Sequence, residues 1–303
     1  MKKRYIHIYQ CKTGYILADD VYDERGLLII PKNSPIDDYI IKRLKNFRIR
    51  QLCVYEHQQI ENNEMQQQYI EEFKEDYKTN IYVMRQLLSD LASGKKLDFE
   101  RVKVISDSVY SKIRFIANVP EFMNAVKDID EYTYRHSINV AIYALLIAKW
   151  LGLEEEEMKN VVITGILHDI GKAKIPADIL NKKGLLSPEE FEKIKEHTSI
   201  GYKLSLNITE LTDDIREGIL MHHENEDGSG YPIGLKGNEI NRYAKIIAIA
   251  DVYDALTSER IYKKRNTPFD AFKEIIRMGY NKFDTKVLMT FYQTYADIIL
   301  VPL

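Results

Sequence analysis

The chain has 303 residues, a 45% hydrophobic fraction and a formal net charge of −3. That allows two domains and a sizeable core, and the slight acidity excludes a dedicated nucleic-acid binder while leaving room for a small anionic ligand. Cys11 and Cys53 form no Cys-x-x-Cys pair, the N-terminus MKKRYIHIYQ lacks the apolar core of a signal peptide, and no apolar run approaches the ~20 residues of a membrane span. The expectation is a cytoplasmic protein with neither disulfides nor a membrane segment.

Residues 1–60 read as a small α+β module. Gly14, Gly26, Pro31 and Pro35 punctuate it, Leu27–Ile30 and Ile49–Tyr55 are β-prone, and Ile36, Ile40, Ile41, Leu44 and Phe47 share one helical face. Residues 61–97 form an amphipathic connecting helix, with Met65, Tyr69, Phe73, Tyr77, Ile81, Met84 and Leu88 recurring every three or four residues. Two readings of 61–91 stand: a connector packed on its own domain, or a homodimer helix, which near-heptad spacing also suits.

The pattern from residue 98 to the end is almost continuously helical: Asp98–Ile116, Tyr132–Leu151, Glu154–His168, Pro188–Leu206, Asp213–His222, Arg242–Ser258, Pro268–Met278 and Thr285–Ile299. The fold class is therefore mainly α. Glu224–Asn241, rich in Gly, Asn and Asp, interrupts it as a loop long enough to suggest a function.

Five of the seven His fall between His136 and His223. Taken alone, His136 at the start of an apolar helix reads as a hydrogen-bonded core residue, and His197 is uninformative. His168 and Asp169, ending the apolar GIL run, are harder to dismiss, because burying an unpartnered carboxylate costs several kcal/mol. Asp251, inside the apolar helix YAKIIAIADVYDAL, needs a metal ion or a basic side chain as partner. His222 and His223 are adjacent, and successive helical residues diverge by ~100°. Two metals, or a relaxed helix end, would let both be used. Five imidazoles and two carboxylates on helices match the needs of a two-metal site, with Asp169 able to bridge ions ~3.5–4 Å apart.

HDIGK at 168–172 and HHENEDGSGYPIGLKG at 222–237 resemble the HD-GYP subclass of HD-domain phosphohydrolases. RHS at 135–137, EHTSIGYKL at 196–204, ADVYDALTSERIYK at 250–263 and FDTKVLMTF agree with it. The resemblance covers roughly residues 100 to 303. It implies an all-helical HD-type catalytic domain, here 98–303, that hydrolyses the cyclic dinucleotide c-di-GMP to linear pGpG, in some members onward to GMP. By motif position the metal ligands are His136, His168, Asp169, His197, His222, His223 and Asp251. The first ion takes His136, His168, Asp169 and Asp251; the second takes Asp169, His197, His222 and His223. Trinuclear members carry a Glu one turn before the first His, where this chain has Tyr132, a poor ligand at neutral pH. Two divalent ions, Fe or Mn, are therefore expected.

Asp169 and Lys172 are the expected catalytic pair, with Lys172 stabilising phosphoryl charge; the alternative for Lys172 is a cation at a helix C-terminus. Lys172, Tyr231, Arg260 and Lys263 are the expected substrate contacts. Tyr231 would stack on guanine or reach a phosphate, unless it only pins the loop. Arg260 and Lys263 suit phosphate oxygens, unless they are an exposed basic helix end. Glu224, Asp227 and Asp254 are candidates to orient the ligating imidazoles. Rival readings are a phosphodiesterase for another cyclic dinucleotide such as cGAMP, a c-di-GMP-binding scaffold with weak turnover, and a general nucleotide phosphohydrolase.

Overall fold

Apolar patterning divides the chain into a strand-bearing N-terminal part and a helical remainder, and the structure, a computed structural model, follows that division. It describes residues 3–11, 15–23, 26–34, 36, 40–41, 44–45, 47, 49–55, 61–113, 123–126, 129, 132–182, 184–258, 267–279 and 281–299. The chain separates into two compact units, one built mainly on Met1–Tyr77 and the other on Lys78–Arg114 with Ile129–Ile299.

In the first unit β1 (Lys3–His7) pairs antiparallel with β4 (Gln51–Tyr55), Lys3 opposite Tyr55 and His7 opposite Gln51. A second ribbon joins β2 (Val21–Tyr22) to β3 (Leu28–Ile30). Ile6, Leu17, Leu44, Leu52 and Val54 form its core. Residues 40–41 and 44–45 are helical, and the rest of the helix expected over Ile36–Phe47 is partly outside the described residues.

Helix α1 (Glu61–Ala92) contributes to both units. Its buried stripe runs Phe73, Tyr77, Ile81, Met84, Leu87 and Leu91, rather than passing through Leu88. Phe73 and Leu91 lie eighteen residues apart, five turns at ~3.6 residues per turn, so they stand in line on one face. The side chains of Met65 and Tyr69 lie outside the described residues.

Among its described residues the second unit is built on α-helices joined by turns and loops: α2 (Phe99–Ile113), α3 (Tyr132–Trp150), α4 (Glu155–Leu167), the short α5 (Ala177–Leu180), α6 (Pro188–Ser205), α7 (Asp213–Met221), α8 (Arg242–Thr257), α9 (Pro268–Met278) and α10 (Thr285–Ile299). The starts follow local chemistry. Ser187 and Glu190 make a reciprocal capping box ahead of Pro188, Thr212 caps α7, and Asn241 caps α8. Helix α3 is apolar around most of its circumference because α4 and α8 pack on it. Tyr253 of α8, Phe272 of α9 and Phe291 of α10 meet with ring centroids 4.9–5.1 Å apart and hold the C-terminal helices against it. Among the described residues no helix is long and apolar enough to cross a membrane.

Candidate metal centre

Five segments deliver the expected ligands to one place in the helical unit. His136 projects from α3 and Asp251 from α8. Helix α4 ends at Leu167, so His168 caps it and Asp169 opens a 3₁₀ turn, Ile170–Lys174. His197 lies within α6, and His222 and His223 follow the last residue of α7. The relaxed helix end is thus what turns two adjacent imidazoles inward. The 3₁₀ turn lies so close to α6 that a Cβ on Gly171 would sit 1.9 Å from the His197 carbonyl oxygen. Only glycine lets Asp169 and His197 approach as they do.

The side chains form two groups, His136 with His168 and Asp251, and Asp169 with His197, His222 and His223; within each, candidate ligand atoms lie within 4.8 Å of one another. The Asp169 carboxylate faces both. Its Oδ1 is 3.3 Å from His197 Nε2, while Oδ2 is 3.3 Å from His168 Nε2 and 3.6 Å from His136 Nε2. Asp251 Oδ1 is 3.1 Å from His136 Nε2.

Hydrogen bonds fix which nitrogen of each ring is available. Nδ1 of His168, His197 and His222 lies 2.7, 2.7 and 2.8 Å from the carbonyls of Gly165, Ile194 and Ile219, each three residues earlier. A carbonyl can only accept, so Nδ1 carries the hydrogen and Nε2 keeps its lone pair. Nε2 of His197 then faces Nε2 of His222 at 3.3 Å, lone pair toward lone pair. His168 Nε2 and Asp169 Oδ1 are buried and make no hydrogen bond. Converging lone pairs around a buried carboxylate are unfavourable unless a cation sits among them, so this donor set fits divalent metal.

His136 is oriented differently. Its Nδ1 donates to Asp254 Oδ2 at 2.7 Å, and Asp254 also accepts from Asn139 Nδ2 at 2.7 Å and Ser258 Oγ at 2.9 Å. Of the three acidic candidates, Asp254 therefore orients an imidazole. Glu224 instead takes the backbone N–H groups of Ile233, Gly234 and Leu235, and Asp227 binds Ser229 and Asn281.

Burial lowers the pKa of His197 and His222 and takes His223 down to about 4, which keeps all three in the neutral, ligating form at pH 7. Burial works against ionised Asp169, but Lys172, His168 and His197 outweigh it and hold the carboxyl well below its usual range. Burial likewise opposes charge on His136; hydrogen bonds to Asp251 and Asp254 prevail and raise its pKa to about 10 in the metal-free chain.

Lys172 Nζ lies 2.5 Å from Asp169 Oδ2. A cleft of about 330 Å³ opens beside His222, His223 and Asp251 and reaches Tyr231. The Tyr231 ring lies 4.7 Å from that of His223, and burial, with Asp169 and Asp251, pushes the pKa of its hydroxyl well above the ordinary phenol value. The loop is drawn close here: a Cβ on Gly230 would meet Glu224 Cα at 2.4 Å. Arg260 and Lys263 lie outside the described residues, as does the side chain of Tyr132. Three residues near the site escaped the sequence reading. Asn139 has a signal, lying one turn after His136 on the same face. Phe191 and Lys195 line the cleft from α6, six and two residues before His197, with no distinguishing signal of their own.

Residues 113–287 match the HD domain family. The chain belongs to the HD domain family. That family is metal-dependent, in keeping with the two His/Asp groups, and the GYP triplet at 230–232 places this HD domain in the HD-GYP branch. It is 32% identical over 205 residues to a cyclic di-GMP phosphodiesterase of Pseudomonas aeruginosa, covering 68% of this chain and 49% of that protein. It is 41% identical over 140 residues to a 3′3′-cGAMP-specific phosphodiesterase of Vibrio cholerae, covering 46% of this chain and 32% of that protein. The chain thus spans about half or less of the length of these relatives. Its fold is like that of an HDG"Y"P protein of Bdellovibrio bacteriovorus, with a TM-score of 0.58 at 16% identity over 97% of this chain and 99% of that one.

Proposed function

We propose that this HD domain hydrolyses c-di-GMP to linear pGpG with two divalent ions, Fe or Mn, held by His136, His168, Asp169 and Asp251 on one side and Asp169, His197, His222 and His223 on the other. The observation that carries the reading is the Asp169 carboxylate, with one oxygen toward each group of ligands. When bound, the ions supply Lewis acidity toward a phosphodiester and a water acidic enough to attack it at neutral pH.

The protein's own groups do the rest. Carbonyl and Asp254 contacts hold the rings with Nε2 inward, so no tautomer change is needed on binding. Lys172, with 32% of its side chain exposed, can turn its ammonium from Asp169 to a phosphoryl oxygen as charge develops there. Tyr231 stays protonated and offers its O–H to substrate, on a loop whose backbone Glu224 gathers. Arg260 and Lys263 remain proposed phosphate contacts.

The test is to purify the protein anaerobically, quantify bound metal, and resolve pGpG and GMP after incubation with c-di-GMP, beside Asp169→Ala. We expect about two ions per chain, pGpG without GMP, and an inert variant. Metal-loaded protein that leaves c-di-GMP intact after both Fe and Mn reconstitution refutes the substrate reading.

A further inference from the structure

The wall of the cleft supplied by α6 carries two residues to which the chemistry above gives no role. Phe191 and Lys195 lie four residues apart, hence on one face of the helix. Lys195 Nζ sits 4.9 Å from the Phe191 ring centroid and 5.4 Å from that of Tyr231. The Tyr231 ring in turn lies 4.7 Å from His223. Phe191, Lys195, Tyr231 and His223 therefore form a continuous run along the cleft, from a solvent-facing ring (Phe191, 46% exposed) to the candidate ligands. Glu192 is ion-paired to Lys195 at 2.7 Å.

An exposed aromatic ring beside a charged donor suits a nucleobase: the ring offers a stacking face and the donor reads the base edge. An ammonium has three donors and no acceptor. It matches guanine, which presents O6 and N7 as acceptors, and meets the exocyclic N–H₂ of adenine donor to donor.

We propose that Phe191 and Lys195 form a guanine seat, with the base of a cyclic dinucleotide stacked on Phe191 and its O6 and N7 accepting from Lys195 Nζ. This rests on the reading of the site as a cyclic-dinucleotide phosphodiesterase and makes α6 a determinant of which dinucleotide it prefers.

The experiment compares steady-state hydrolysis of c-di-GMP, 3′3′-cGAMP and c-di-AMP by the metal-loaded protein, with Lys195→Met, Lys195→Arg and Phe191→Leu. The wild type should prefer c-di-GMP over c-di-AMP, with cGAMP between. Lys195→Met should cut kcat/KM for c-di-GMP about tenfold or more through KM, with c-di-AMP little changed, so that the guanine preference collapses. Lys195→Arg should retain the preference, and Phe191→Leu should raise KM for all three. Equal losses on all three substrates in Lys195→Met, or none on any, overturn the guanine seat while leaving the phosphodiesterase reading in place. A wild type that cleaves none of them overturns that reading and the seat with it.

Discussion

Asp254→Asn probes whether the imidazole-orienting shell matters as much as the ligands. Asp254 is 1% exposed and accepts from three donors: Oδ2 takes His136 Nδ1–H, and Oδ1 takes Asn139 and Ser258. The variant amide has one oxygen for these three. Keeping its oxygen at the Oδ1 position preserves two hydrogen bonds and presents N–H₂ to His136 Nδ1; the flipped amide preserves one and opposes Asn139 with a second donor. The first arrangement should win. His136 must then accept at Nδ1, which keeps a hydrogen on Nε2 and denies a metal the lone pair it needs there. Losing an orienting partner of this kind costs about 10–100-fold in metal affinity, or about 1.4–2.7 kcal/mol. Chelator competition, with metal quantified per chain, should therefore show one ion weakened and the other retained, because His197, His222 and His223 make no contact with Asp254. Melting temperature in the metal-free state controls for folding. Metal affinity within about threefold of wild type at both positions would refute the argument that Asp254 sets the tautomer.

Further expectations concern the close approaches and the protons. Gly171→Ala drives a Cβ into the His197 carbonyl and should destabilise the chain by at least the ~1–3 kcal/mol typical of overpacking, read by urea denaturation; an unchanged midpoint would mean that the 3₁₀ turn can retreat from α6. Glu224→Ala leaves the N–H groups of Ile233, Gly234 and Leu235 without their acceptor, so hydrogen exchange at these amides should accelerate at least tenfold while α3 amides hold their protection; equal protection in the variant would show that the loop is held elsewhere. Loading metal at pH 7 should release about one proton per chain, because His136 is protonated below about 10 in the metal-free chain and must lose that proton to ligate. Affinity should consequently strengthen as pH rises toward that value. Calorimetry in buffers of different ionisation enthalpy measures the proton count, and zero would refute a charged metal-free His136. Chelation of a metal present at about a thousand times its Kd should remove about 4 kcal/mol of stability, seen as a lower melting temperature.

What the sequence disclosed follows the cost of burying charge. His168–Asp169 and Asp251 stand out within apolar helices because each demands a partner, and the helical class follows from 3.6-residue periodicity over most of the chain. The sorting of ligands into two groups was not contained in any spacing; it depends on α3, α6, α7 and α8 converging, and only resemblance to a family supplied it in advance. Strand β1 gives no period-2 signal, since Ile6 is the one buried residue in Lys3–His7. It is a strand because β4, with Leu52, Cys53 and Val54 all buried, pairs with it. The choice of Asp254 over Glu224 and Asp227 was equally beyond local pattern, although a trace of it exists: Asp254 lies three residues after Asp251 and Asn139 three after His136, so two helices each present a candidate ligand and its support on one face. Lys195 marks the limit. On a helix read alone, a lysine three residues after Glu192 and next to Glu196 belongs to the solvated side, and it becomes part of a cleft only once the loop bearing Tyr231 folds back over α6. Residues that bind metal must be buried and so announce themselves through cost, whereas residues that select a substrate must stay accessible and carry no such signature. Specificity is for that reason the part of this protein that structure, rather than sequence, brings within reach of experiment.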